Sequence, residues 1–128
     1  MINTKNITIK GIVVKGQQLG RKLGFKTANL ENINIDLFGV FITSVKYNDK
    51  QYYGISNCGY RPTVLNNHKY LIETHILDFD KDIYDEELEI TFLDKIRDEQ
   101  KFASLELLKE QLEKDKEYCI KYIDKYNL

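Results

Sequence analysis

The stretch FGVFITSVKYNDKQYYGISNC, residues 38–58, decides the fold, because polar and apolar residues alternate along it on both sides of Asn48-Asp49. Alternation of this kind places successive side chains on opposite faces of a β-strand. Asn and Asp tolerate the positive φ angles that a two-residue hairpin turn requires. The stretch therefore predicts two antiparallel strands, at 38–47 and 51–58, joined by a tight turn.

The same alternation, rich in β-branched and aromatic residues, continues to about residue 97 and predicts further strands at 6–15, 69–79 and 87–95. After Phe102, apolar residues recur at steps of three and four, which predicts an amphipathic helix over 104–126 with Ser104 as its N-cap. Five or six antiparallel strands followed by one helix favour a small closed barrel with the helix outside, since closure removes exposed sheet edges.

Length and composition narrow the class of protein. The chain has 128 residues, so we expect a single domain over 1–128. Its 19 Lys and Arg nearly balance its 20 Asp and Glu, which argues against recruitment of nucleic acid or an anionic membrane by overall charge. The two cysteines have neither metal-knuckle spacing nor the number of a disulfide framework, and we expect reduced thiols. Without a signal-peptide pattern or a run of about 18 apolar residues, a cytoplasmic protein is expected.

A long connection, residues 16–37, separates the first two predicted strands and contains GRKLGFKTANL at 20–30. Long ordered loops in small domains are uncommon unless they bind something. Glycine lets a ligand approach the backbone, cations attract phosphate, and hydroxyl and amide oxygens ligate hard metal ions. Neither standard phosphate-loop spacing is present, so composition leaves a nucleotide site and a solvated basic turn both open. Single-stranded nucleic acid is a third alternative, disfavoured by the balanced charge.

Two further segments contain candidate functional residues. Glu73 and His75 lie on one face of the strand predicted at 69–79, where the carboxylate is either a solvated side chain or a rigidly held general base. The polar segment 95–102 is either a charged connector or a flap, in which Arg97 could reach a phosphate or a planar ring and Phe102 could stack.

Together these segments resemble the riboflavin kinase family, whose module also forms the carboxy-terminal half of bifunctional bacterial FAD synthetases. The resemblance runs from about Ile9 to Ile123 and depends on the order and spacing of GIVVKG (11–16), GRKLGF (20–25), TANL (27–30), FGVF (38–41), GISNCGYRPT (54–63), ETHILDF (73–79) and IRDE (96–99). It implies a six-stranded antiparallel Greek-key barrel with a C-terminal amphipathic helix. It also implies transfer of the γ-phosphoryl group of ATP to the ribityl 5′-hydroxyl of riboflavin, giving FMN.

The resemblance implies roles for single residues. Glu73 would be the catalytic base that accepts the hydroxyl proton, and Thr27 and Asn29 would contact Mg²⁺ and the phosphates of ATP. The other implied ATP contacts are Gly16, Arg21, Asp78 and Tyr84, and the implied contacts to riboflavin or FMN are Arg97, Gln100 and Phe102. Riboflavin and ATP are the expected partners, with no nucleic acid and no membrane. The sequence is compatible with a monomer.

One residue departs from the family pattern. The family has proline immediately before the metal-binding threonine, where this chain has Lys26. Proline would fix φ and pre-set the loop, so lysine predicts weaker binding of magnesium or ATP, at a cost of about 0.4–1 kcal/mol, unless its charge near the phosphates compensates. The departure leaves open a non-catalytic flavin-binding or regulatory module derived from such a kinase. The sequence contains only the kinase-like segment, so the resemblance supports formation of FMN and not of FAD.

Overall fold

The computed structural model describes residues 7–15, 22–62 and 67–128. These ranges contain strands β1 (Thr8–Val14), β2 (Ala28–Glu31), β3 (Gly39–Tyr47), β4 (Lys50–Pro62), β5 (His68–Ile76) and β6 (Glu87–Arg97), and the helix α1 (Leu105–Lys125). All neighbouring strands are antiparallel, and the order β1-β2-β5-β4-β3-β6 closes on itself when β6 pairs with β1. The prediction of a mainly β, six-stranded barrel with a C-terminal helix is confirmed.

The hairpin in the middle of the chain forms as predicted. Tyr47 and Lys50 are partners in the ladder, and the turn residues Asn48 and Asp49 have φ angles of 52° and 64°. Positive φ at both turn positions matches the right-handed twist of the flanking strands. The hairpin pairs β3 with β4 along the whole length of β3.

The sequence analysis missed β2, which lies inside the predicted connection 16–37. This strand has only four residues and so contains too little alternation to recognise. The barrel nonetheless requires it, because β2 pairs with β1 on one side and with β5 on the other. The strand predicted at 69–79 also ends earlier, since β5 stops at Ile76 and Asp78 adopts a turn conformation with a φ of 56°.

The barrel interior is apolar and well packed, with three polar side chains that satisfy one another. Phe41 and Phe92 meet edge to face with ring centroids 5.4 Å apart, and both are fully buried. The Ser56 hydroxyl lies 3.0 Å from the Thr43 hydroxyl and 2.7 Å from the Thr74 hydroxyl. Burying a large apolar side chain contributes about 1.5–3 kcal/mol, so this interior supplies stability and leaves the outer surface for a site.

Helix α1 covers part of the outer surface. Its N-cap is Ser104, as predicted, whose hydroxyl accepts a hydrogen bond from the backbone N–H of Leu107 at 3.2 Å. Buried residues on its inner side and on the strands beneath form a second apolar cluster: Val40, Ile42, Ile55, Leu77 and Cys119. Within the described ranges, no helix is both long enough and apolar enough to cross a membrane.

Candidate active site

A cleft of about 720 Å³ lies between the outer face of β2, β5 and β4 and the amino-terminal half of α1. This volume lies within the range of pockets that hold small organic ligands. Six of the residues to which the resemblance gave a role line it, although they are widely separated along the chain: Thr27, Asn29, Glu73, Arg97, Gln100 and Phe102. The fold thus brings most of the predicted site together.

A row of three polar side chains crosses the floor of the cleft. Glu73 on β5 is the ladder partner of Asn29 on β2 and of Asn57 on β4, so the three side chains share one face of the sheet. Adjacent strands lie about 4.8 Å apart, which makes the row roughly 10 Å long. The carboxylate is therefore flanked by an amide on each side.

Both amides have buried oxygens without a partner. Within the described part of the chain, neither Asn29 Oδ1 nor Asn57 Oδ1 accepts a hydrogen bond. Leaving a buried acceptor unsatisfied costs about 1–3 kcal/mol, and folded proteins contain few such atoms. These two acceptors lie beside one carboxylate in a cleft of ligand size, so they are positioned to receive hydrogen-bond donors or a cation from a ligand.

Arg61 links Glu73 to the segment that follows β6. Its Nε donates to Glu73 Oε1 at 2.8 Å, and its Nη2 donates to Glu99 Oε2 at 2.7 Å. Burial acts to lower the pKa of Arg61, but the hydrogen bond to Glu99 and the charges of both carboxylates outweigh it and raise that pKa. The guanidinium stays charged and holds the carboxylate of Glu73 in one orientation.

Gly59 provides the space for this arrangement. It lies on β4 between Asn57 and Arg61, and a Cβ atom placed there would overlap the carboxylate of Glu99. Any larger residue would push Glu99 away from the sheet. The glycine thus allows the segment after β6 to lie directly on the strand surface.

The backbone before Thr27 is held by His75. Its Nδ1 donates a hydrogen bond to the carbonyl oxygen of Lys26 at 2.8 Å, and its ring packs against Phe25 with centroids 5.2 Å apart. Burial chiefly lowers the pKa of His75, Lys116 lowers it further, and the bond to the Lys26 carbonyl raises it in part. A neutral imidazole therefore positions the residues that lead into β2.

The Lys26 ammonium pairs with carboxylates of the segment after β5. Its Nζ lies 2.8 Å from Asp82 Oδ1 and 3.9 Å from Asp80 Oδ1. Lys26 also lines the small cavity that Thr27 borders, so the expectation that its charge compensates near the phosphates stays a prediction. In the structure the ammonium joins the loop before β2 to the segment that follows β5.

Arg97 is also occupied by a carboxylate. Its Nε and Nη2 donate to the two oxygens of Asp115 at 3.0 and 2.8 Å, and Asp115 on α1 is 1% exposed. The Arg97 guanidinium carbon lies 5.9 Å from the centroid of Phe102, close enough for a cation–π contact. In this arrangement Arg97 anchors the flap to the helix, while Gln100 and Phe102 face the cleft.

The remaining predicted ATP contacts lie elsewhere. Tyr84 lines a separate cavity of about 20 Å³, which Thr27 also borders, so the tyrosine lies close to the start of β2 but outside the cleft. Asp78 occupies the turn after β5 and does not line the cleft. Gly16 and Arg21 fall outside the described residues.

Four residues of this site received no role from the sequence: Asn57, Arg61, Glu99 and Asp115. Asn57 and Arg61 lie in the GISNCGYRPT segment and share the strand face of Glu73, but only the register of β4 against β5 reveals this. Nothing in the sequence indicated a role for Asp115, since a carboxylate on an amphipathic helix is ordinarily solvated.

The closed barrel and its polar outer cleft define a small ligand-binding barrel domain. A family model described as Flavokinase, riboflavin kinase, matches residues 3–123. The chain belongs to the riboflavin kinase family, which confirms the resemblance found in its sequence.

Individual relatives agree with this assignment. A bifunctional riboflavin kinase/FMN adenylyltransferase of Pseudomonas fluorescens is 44% identical over 109 residues, covering 84% of this chain and 35% of that protein. The RNA-binding riboflavin kinase RibR of Bacillus subtilis (strain 168) is 44% identical over 111 residues, covering 84% of this chain and 47% of that protein. The chain thus spans less than half the length of either relative.

A solved structure extends the likeness to the fold. The riboflavin kinase of Trypanosoma brucei superposes with a TM-score of 0.62 at 23% identity, over 94% of this chain and 82% of that one. At this identity the likeness concerns the fold alone.

Proposed function

We propose that this chain is a riboflavin kinase that transfers the γ-phosphoryl group of ATP to the 5′-hydroxyl of riboflavin, forming FMN. The observation that supports this most directly is the row Asn29–Glu73–Asn57, in which a carboxylate is flanked by two buried amide oxygens that have no partner among the described residues. The family match supports the same reaction. We further propose that residues 1–128 form one domain, active as a monomer in the cytoplasm, where ATP is available.

Glu73 is the proposed catalytic base. Phosphoryl transfer depends mainly on alignment and on neutralising charge, with a carboxylate to accept the proton of the attacking hydroxyl. Glu73 lies mid-strand in a closed barrel, and Arg61 holds one of its oxygens. Within the described ranges the second carboxylate oxygen has no hydrogen-bond partner, so we assign it to the substrate hydroxyl.

Thr27 and Asn29 fit the Mg²⁺ that such a reaction uses. Mg²⁺ takes oxygen ligands and is usually bound by one or two protein groups together with substrate phosphates. Asn29 is 3% exposed and its Oδ1 lacks a partner among the described residues, while Thr27 lines the same cleft. When bound, the ion would neutralise charge on the phosphates beside Glu73.

We place the nucleotide on the β2 side of Glu73 and the flavin on the α1 side. Thr27 borders both the cleft and the small cavity that contains Tyr84, which supports a nucleotide there, with Gly16, Arg21 and Asp78 as proposed further contacts. On the other side, apolar and polar residues under the helix suit a planar ring with a polar edge: Arg97, Gln100, Phe102, Leu108 and Leu112.

The test is formation of FMN. The protein is incubated with riboflavin, ATP and Mg²⁺, and the products are separated by chromatography. The control is Glu89→Gln, a carboxylate on β6 that does not line the cleft and lies 3.9 Å from the Lys10 ammonium. We expect FMN from the wild type and from this control. Tight riboflavin binding without FMN would instead support the non-catalytic flavin-binding or regulatory module. Salt-sensitive binding of RNA would contradict the proposal that no nucleic acid is a partner.

A further inference from the structure

We propose that Asn57 is a specificity-determining residue, whose Oδ1 accepts a hydrogen bond from the secondary hydroxyl next to the reacting primary hydroxyl of the polyol acceptor. This inference rests on the proposed function, since it takes the acceptor to be a sugar-alcohol chain. The substrate would then be recognised at two points, by Glu73 and by Asn57. The inference also gives a role to Asn57 Oδ1, an atom that the phosphoryl transfer itself does not use.

The position of Asn57 places it on the acceptor side of the base. Asn29 and Asn57 are the partners of Glu73 on opposite sides, on β2 and β4 respectively. The loop that leads to Thr27 enters at β2, so the phosphates approach from that side. The acceptor chain must then leave Glu73 in the direction of β4, over Asn57.

The surroundings of Asn57 favour a neutral donor over a cation. Arg61 lies on the same strand and reaches back to Glu73, so its positive charge disfavours a metal ion at this end of the row. The hydrogen bonds of Arg61 go to Glu73, Glu99 and the carbonyl oxygen of Tyr60. An alcohol O–H is a donor that brings no charge.

The spacing suits two neighbouring hydroxyls. Adjacent strands lie about 4.8 Å apart, and Glu73 and Asn57 are directly opposite each other in the ladder. Two hydroxyls on adjacent carbons, each bonding outward at about 2.8 Å, can reach one acceptor each. Glu73 would accept from the reacting hydroxyl and Asn57 from the next one.

The experiment compares riboflavin with its 4′-deoxy and 2′-deoxy analogues as phosphoryl acceptors, measuring kcat/KM for each. For the wild type, we expect loss of the 4′-hydroxyl to lower kcat/KM by about tenfold to hundredfold, because a buried acceptor is left unpaired. Loss of the 2′-hydroxyl should change it by less than about threefold, since that group lies beyond Asn57.

The variant Asn57→Leu keeps the side-chain shape and removes the acceptor. For riboflavin its kcat/KM should fall by about tenfold to hundredfold, and it should use the 4′-deoxy analogue at least as well as riboflavin, because no buried acceptor is then left unpaired. The matched control is Gln51→Leu, on the same strand near the β3–β4 turn, where its amide bonds Ser44 and Tyr53 far from the cleft. This control should discriminate between the two acceptors as the wild type does.

Four outcomes would overturn the inference. If the wild type forms FMN but uses the 4′-deoxy analogue as well as riboflavin, the inference fails while the proposed function stands; this comparison needs no variant and so does not depend on folding. The same holds if Asn57→Leu still discriminates as the wild type does, or if it changes only the Mg²⁺ requirement. If the wild type forms no FMN at all, the proposed function and the inference fail together.

Discussion

Replacing Gly59 with alanine tests whether the segment after β6 is docked on the barrel by Glu99. A Cβ at this position would overlap Glu99 Oε1, lie 2.7 Å from Glu99 Cδ and lie 3.1 Å from Arg61 Nη1. These atoms belong to the ends of flexible side chains, so the strand keeps its path and the Glu99 carboxylate moves away. The substitution therefore breaks the Arg61–Glu99 ion pair and leaves the Arg61–Glu73 pair in place.

The expected changes in stability and in riboflavin affinity follow from the solvent exposure of the Arg61–Glu99 ion pair. The Arg61 and Glu99 side chains are 29% and 32% exposed, and an ion pair this accessible contributes no more than about 1 kcal/mol. Replacing glycine with alanine stabilises by about 0.4–1 kcal/mol where the backbone permits it. The two effects nearly cancel in the free energy of unfolding. Riboflavin affinity should fall by at most about fivefold, which corresponds to roughly 1 kcal/mol.

The assay combines urea denaturation with titration of riboflavin fluorescence. Gly54→Ala is the contrasting variant, because its Cβ would lie 2.7 Å from the backbone oxygen of His75, which cannot move aside as a side chain can. It should lose about 1–3 kcal/mol of stability. In a Glu99→Ala background, Gly59→Ala should have no further effect on affinity. The reasoning would be refuted if Gly59→Ala lowered riboflavin affinity further in the Glu99→Ala background, or if Gly59→Ala destabilised the protein as much as Gly54→Ala.

Four further outcomes are expected. Glu73→Gln should lower kcat by about 10²–10⁴-fold while equilibrium binding of riboflavin and nucleotide changes little, and unchanged turnover would remove its role as base. Asp115→Ala should lower the free energy of unfolding by about 3–5 kcal/mol in urea, since it leaves the half-buried Arg97 guanidinium unpaired. Burial lowers the pKa of His75 below 6.5 in the folded protein, so the unfolded state binds the proton more readily. The free energy of unfolding should therefore fall as the pH drops through 6.5 toward the folded-state pKa. In denaturation curves recorded at several pH values, His75→Gln should flatten this dependence. Lys26→Pro should change stability by less than about 1 kcal/mol by the same measurement, because the fixed φ offsets the lost ion pair.

The strands that the sequence predicted are those with enough length to show alternation. In β3 and β4 the pattern extends over many residues and is reinforced by the Asn48-Asp49 turn. In β2 only Ala28 and Leu30 face the core, and two inward positions do not establish a period. Its pairing is decided by neighbouring strands, which is information that a single segment does not contain.

The site was predictable only in part for a similar reason. Glu73 on its own strand is an ordinary exposed carboxylate, and the family resemblance, not the pattern, gave it a role. The surroundings of Glu73 depend on the register of the strands. Asn57 becomes its neighbour only when β4 pairs with β5, and Arg61 on β4 then reaches the Glu73 carboxylate across the same strand pair. Contacts between side chains from different strands follow from the ladder and cannot be read from either strand alone.

Lys26 shows how a contact elsewhere in the fold changes the meaning of a substitution. As a sequence feature it is one more cation in a basic loop, and a phosphate is the obvious partner. In the fold its ammonium pairs with Asp82, while its carbonyl oxygen accepts from His75. Proline would keep the second contact, which uses only the backbone, and lose the first. Proline would restrict the loop by fixing its φ angle. In this chain the Lys26–Asp82 ion pair restricts it instead, by joining the loop before β2 to the segment after β5. Salt or protonation of the Asp82 carboxylate can weaken this ion pair, whereas neither would change the restriction imposed by a proline ring.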